Sequence, residues 1–123
     1  MTRQKSFEVP FTTPSAHELR QWTTWDWHLR QAGMARALHR EAQAAGIPYF
    51  SKGEFREVQI CSLRQDLLRY EELIGGCRLL LEAMREAKLI GSLKSPHLKV
   101  EYSQVQELER PRTRITVSWG GVG

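Results

Sequence analysis

Between Arg64 and Glu86 the chain gathers the side chains best suited to phosphate chemistry. Asp66, Glu71, Glu72 and Glu82 are among its acids. Arg64, Arg69, Arg78 and Arg85 offer guanidinium groups that match phosphate oxygens bidentately. On a helix, at about 100° per residue, Glu71, Gly75, Arg78, Glu82 and Arg85 fall on one polar stripe. The adjacent pair Gly75-Gly76 interrupts that stripe, and each glycine costs roughly 1 kcal/mol against alanine inside a helix. Either another backbone, a partner helix or a nucleic-acid strand approaches there, or the helix bends or starts late. Glu82 follows Arg78 by four residues, the spacing of a surface ion pair.

Other chemistries find less support. Cys61 and Cys77 lack C-x-x-C spacing, and His17, His28, His39 and His97 form no ligand cluster, so a structural zinc site is not expected. There is no nucleophile motif, phosphate-cradling glycine loop or dinucleotide fingerprint. Trp22, Trp25 and Trp27 bunch before the first long helix, where they could stack on bases, line a subunit interface or pack into the core. Arg30, Arg36 and Arg40, with His28 and His39, could track a phosphate backbone or form a solvated face.

The elements that must position these groups are legible from periodicity. Ser6 to Pro10 reads as a short strand, followed by a Thr12-Thr13-Pro14-Ser15 turn and an irregular segment. Asp26 to Ala45 is rich in helix formers and stops at Gly46, with Pro48 beyond. Phe55 to Leu63 alternates around Val58 and Ile60 as a central strand. Arg64 to Tyr70 then connects to a helix over Glu71 to Lys88, whose Leu73, Cys77, Leu80, Leu81 and Met84 make an apolar stripe. His97 to Gln106 and Thr113 to Trp119 finish the pattern as strands joined by a hairpin turn at Glu109-Arg110-Pro111. This gives an α/β (α+β) fold in the order β-α-β-α-β-β, with two helices packed on one face of a mixed or antiparallel sheet.

Composition bounds the rest. A chain of 123 residues with 41% hydrophobic and 26% charged residues predicts one folded domain with one core, residues 119–123 forming a flexible tail. The net charge of +4, carried mostly by arginine, favours a polyanionic partner, although a mildly basic surface without a partner accounts for it too. The polar start MTRQKSFEV and the lack of an apolar run near the ~20 residues of a membrane span predict a cytoplasmic protein without membrane association.

The segment RQDLLRYEELIGGCRLLLEAMREAKLI, followed by a polar turn and HLKVEYSQVQ, resembles the core of the RusA-like Holliday junction resolvases, phage members in particular. The resemblance covers about Val58 to Trp119 and implies a homodimer that cuts branched DNA with magnesium. Thr13-Pro14-Ser15 resembles that family's P-P-S turn, and Arg112-Thr113-Arg114-Ile115 its closing strand. Laid on the family's D-x-D-N-L segment, the two acids become Arg69 and Glu71, and N-L becomes Glu72-Leu73. The two glycines of phage members fall on Gly75-Gly76 and the lysine on Arg78. The D-A-L becomes Glu82-Ala83-Met84, and the D-D pair becomes Ser92-Leu93.

The resemblance thus implies Glu71 as the surviving metal ligand and catalytic group, with Arg78 near the scissile phosphate. One carboxylate cannot hold magnesium alone, and Arg69 sets a positive charge where the ion would sit. Asp66, Glu72 and Glu82 are the possible substitutes. Two readings follow within this family: a magnesium-dependent endonuclease of branched DNA, or a catalytically silent scaffold that binds DNA or a protein through Arg64, Arg69, Arg78, Arg85 and the glycine pair. A third is an interaction module that meets a protein partner through its tryptophans.

Overall fold

A computed structural model describes residues 2–120. The chain runs β1 (Arg3–Val9), α1 (Ala16–Gln21), α2 (Thr24–Ala45), β2 (Arg56–Arg64), α3 (Tyr70–Gly76), α4 (Arg78–Glu86), β3 (Leu98–Gln106) and β4 (Arg112–Trp119). The strands form one four-stranded mixed sheet in the order β1-β4-β2-β3, parallel only between β2 and β3.

The register places Phe7, Ile115, Ile60 and Tyr102 in one row across the sheet, with Lys5, Val117, Val58 and Val100 in the next. Because side chains alternate across a strand, these rows share a face. Val58, Ile60, Ile115 and Val117 are buried there with Leu38 and Ala42 of α2 and Leu80 and Met84 of α4. Of the intervening residues, Gln59, Glu101 and Arg114 are exposed, whereas Thr116 and Ser118 of the central β4 are buried. The result is the two-layer α+β arrangement that the patterning predicts.

Four expectations change in detail. Ser15 and Thr23 each close a capping box, with Glu18 and Asp26, and so nucleate α1 and extend α2 where an irregular segment was expected. The helix over 71–88 is two helices separated at Cys77, although the apolar stripe Leu73, Cys77, Leu80, Leu81 and Met84 is buried as its spacing requires. Glu109-Arg110-Pro111 does not close a hairpin, because β2 lies between β3 and β4. The tail does not begin at Trp119, which ends β4, and residues 121–123 lie outside the described residues.

Burial pushes the Cys77 thiol pKa up to about 11, against the opposing effects of Thr13 and Arg64. Cys61 is half-buried. A thiol reagent at neutral pH should therefore modify Cys61 alone in the folded protein, with Cys77 reacting at least about 100-fold more slowly until denaturant is added. Mass spectrometry of the labelled peptides checks this, and equal labelling of both cysteines would contradict the packing around α4.

Candidate nucleic-acid interface

The β2–α3 connection carries the acidic and basic residues to the carboxyl end of the parallel pair β2 and β3, the end where open α/β sheets commonly bind ligands. Arg69 precedes the first turn of α3, and Glu71 lies within that turn. Both side chains are well exposed, and Arg69 Nε sits 3.8 Å from Glu71 Oε1, a screened surface pair. Glu72 points the other way: its Oε2 accepts the His17 backbone N–H at 2.8 Å, and its Oε1 lies 3.6 Å from Arg20 Nη2. Glu82 pairs with Arg85 at 2.9 Å rather than with Arg78. Asp66 presents its backbone carbonyl to Arg64 Nε at 3.3 Å. Among the described residues no three His, Cys, Asp or Glu side chains gather as a metal-binding group. Glu71, Glu72 and Glu82 are thus paired with different arginines and Asp66 presents its backbone carbonyl, while Ser92 Oγ accepts the Lys94 N–H and Leu93 packs on the core.

The arginines are equally divided. Arg64 is not a surface residue: it is 9% exposed, because it continues the inward-facing alternation of Val58, Ile60 and Ser62. Its Nη1 donates to Thr13 O at 2.7 Å and to Ser62 Oγ at 3.1 Å, tying the Thr12–Ser15 turn to β2. Desolvation lowers its pKa, opposed by the charges of Glu18, Cys77 and Asp66. Arg85 is neutralised by Glu82. Arg78 is exposed and makes no ion pair among the described residues.

The glycine pair is explained by the protein's own chain. A Cβ at Gly75 would lie 2.6 Å from Ala16 Cβ, and one at Gly76 would collide with Pro14 O. Gly76 is therefore filled by the turn before α1 and is closed to a nucleic-acid strand, while Gly75 lines a groove beside it. That groove runs between α1, α3 and α4 and is lined by Arg20, Arg78, Trp27, Leu81 and Tyr102 among others. Arg20, Trp27 and Tyr102 were not read as one site in the sequence, because α1 had no place there. Tyr102 titrates above the usual phenol range, mainly through burial, so its hydroxyl stays a neutral donor at physiological pH.

Trp25 is 69% exposed, whereas Trp22 and Trp27 pack against the core. Arg40 is paired with Glu41, and His39 with the Tyr49 hydroxyl, so those members of the basic face of α2 are engaged locally. Among the described residues no helix is long and apolar enough to cross a membrane. No protein-family model matches the chain, and no curated protein matches it either.

Proposed function

We propose that this chain is a RusA-like scaffold that binds branched DNA without cutting it, acting as a homodimer. The observation that carries the reading is the groove lined by Arg20 and Arg78, set beside acids that, among the described residues, do not converge on an ion. The Arg78 guanidinium, without an ion pair among the described residues, and that of Arg20, held only loosely by Glu72 at 3.6 Å, suit phosphates, and the Tyr102 hydroxyl is a further neutral donor. Magnesium would have only Glu71 to hold it at the position the resemblance implies, with the Arg69 charge 3.8 Å away opposing it.

A protein-binding role on the same scaffold is the second reading. Leu67, Tyr70, Val105 and Leu108 are each more than half exposed, and Gln104 and Gln106 tie this connection to β3. Such apolar exposure suits a protein surface.

A labelled four-way junction with magnesium, read for gel shift and cleavage together, tests the proposal. A shift without cleavage is expected. Arg78→Ala should weaken it about five- to tenfold and lower the salt slope by about one, while Glu71→Ala leaves it intact. Magnesium-dependent cleavage lost in Glu71→Ala would replace the proposal with a nuclease. No shift, with salt-insensitive capture of a protein, would favour the second reading.

A further inference from the structure

A second cleft, of about 450 Å³, opens on the other side of α1 between the Phe11–Pro14 segment, α2 and the end of β2. Its volume falls within the range of small-molecule sites, roughly 300–1,000 Å³. Arg64 lines it, and so do Trp22, Arg30, Thr12 and Glu18. Arg64 is nine-tenths buried yet forms no ion pair among the described residues. Its Nε and Nη1 are spent on Asp66 O, Thr13 and Ser62, while Nη2 makes no hydrogen bond among the described residues and stays open to solvent. The charges of Glu18 and Asp66 partly offset that of Arg64, and its open Nη2 is a charged donor that an anion in the cleft can complete. Arg30 adds a second cation, its guanidinium carbon lying over the Trp22 ring 5.3 Å from its centre, so that cation and indole stack.

The cleft also holds one acid. Glu18 closes the α1 capping box, accepting the Ser15 N–H at 3.2 Å through Oε1, which leaves Oε2 free to accept. A ligand that suits all these groups carries an anion at one end and an aromatic body with N–H donors at the other. We propose that this cleft binds one nucleotide unit, its phosphate on Arg64, its base against the Arg30–Trp22 stack and an amino-bearing base edge toward Glu18. The site is separate from the Arg20–Arg78 groove and stands whether or not that groove holds junction DNA. The shared chemistry is a 5′-phosphate on an amino-bearing base, supplied either by a free nucleotide or by a phosphorylated strand end.

Isothermal titration of the full chain with dGMP, dTMP, deoxyguanosine and inorganic phosphate tests the assignment, alongside a short oligonucleotide with and without its 5′-phosphate. dGMP should bind saturably, at least about tenfold more tightly than deoxyguanosine, phosphate or dTMP. Arg30→Gln should weaken dGMP about tenfold, while Lys94→Gln, which removes the same charge in the loop before β3, should leave it unchanged. Arg64→Lys should weaken it as well; since Arg64 also anchors Thr13, the exposed Arg30 keeps the test valid if that variant fails to fold. Tighter binding of the phosphorylated oligonucleotide than of dGMP identifies a strand-end site, and the reverse order identifies a free-nucleotide site. Failure of both dGMP and the phosphorylated oligonucleotide to bind, or equal binding by Arg30→Gln, overturns the proposal. Junction shift and nucleotide titration are separate measurements, so either can fail alone.

Discussion

Arg56→Ala should cost about 3–5 kcal/mol of folding stability, a large part of what a domain of this size possesses. Arg56 is fully buried at the start of β2, and its guanidinium joins three separate stretches of chain. Nη1 donates to Leu89 O at 2.8 Å, just past α4. Nη2 donates to Pro48 O at 2.8 Å and Tyr49 O at 3.0 Å, and Nε pairs with Glu54 at 2.9 Å. Phe50 and Trp119 add ring faces within 5.9 and 6.0 Å of the guanidinium carbon. Truncation would strand three carbonyls and a carboxylate in a cavity, and each stranded group costs roughly 1–3 kcal/mol. Arg56→Lys keeps the charge but cannot span the same carbonyls with its single ammonium, so its loss should be intermediate. Urea denaturation followed by circular dichroism measures both, and a loss below about 1 kcal/mol for Arg56→Ala would show that the loop between α2 and β2 is held by other contacts.

The two buried arginines show where sequence reading reached its limit. Periodicity of two was enough to place β2, and counting by twos from Val58 and Ile60 leads backward to Arg56 and forward to Arg64. Residue type argued for the surface, strand parity argued for the core face, and parity prevailed because backbone carbonyls and hydroxyls were at hand to satisfy the guanidinium donors. The same contest explains α1: its signal was present as Ser15-x-x-Glu18, but the Thr-Thr-Pro-Ser run before it spoke for a turn.

The strand order was out of reach for a different reason. Five residues between β3 and β4 suit a hairpin, whereas β4 lies between β1 and β2 and is buried at Thr113, Ile115, Thr116, Val117 and Ser118. β3, exposed at every second residue over most of its length, is left at the edge. Non-local pairing of this kind carries no local sequence signature. For the candidate groove, Arg78 and Gly75 were legible as neighbours on one helix stripe, but Arg20, Trp27 and Tyr102 reach it from α1, α2 and β3, and only the tertiary fold brings them there.

Gly76→Ala should destabilise the fold by about 3 kcal/mol, although the same change at an open helical position stabilises. The new Cβ would collide with Pro14 O and approach Pro14 C at 2.8 Å and Ser15 C at 3.1 Å. All three are backbone atoms, so no side-chain rotation relieves the overlap. The Thr12–Ser15 turn would have to move, and it is fixed from its other side by Arg64 donating to Thr13 O at 2.7 Å. Displacement of that turn would also disturb the Ser15 capping box and hence α1, whose Arg20 lines the groove proposed for DNA. Gly33→Ala supplies the internal contrast: it lies inside α2 with only Arg36 Nη2 at 4.0 Å from the new Cβ, so it should gain roughly 0.5–1 kcal/mol from helix propensity alone. Opposite signs for the two alanines in one denaturation series would assign the glycine pair to contact with the protein's own chain. Equal signs would mean that the turn yields without cost, which would reopen Gly76 to an outside partner.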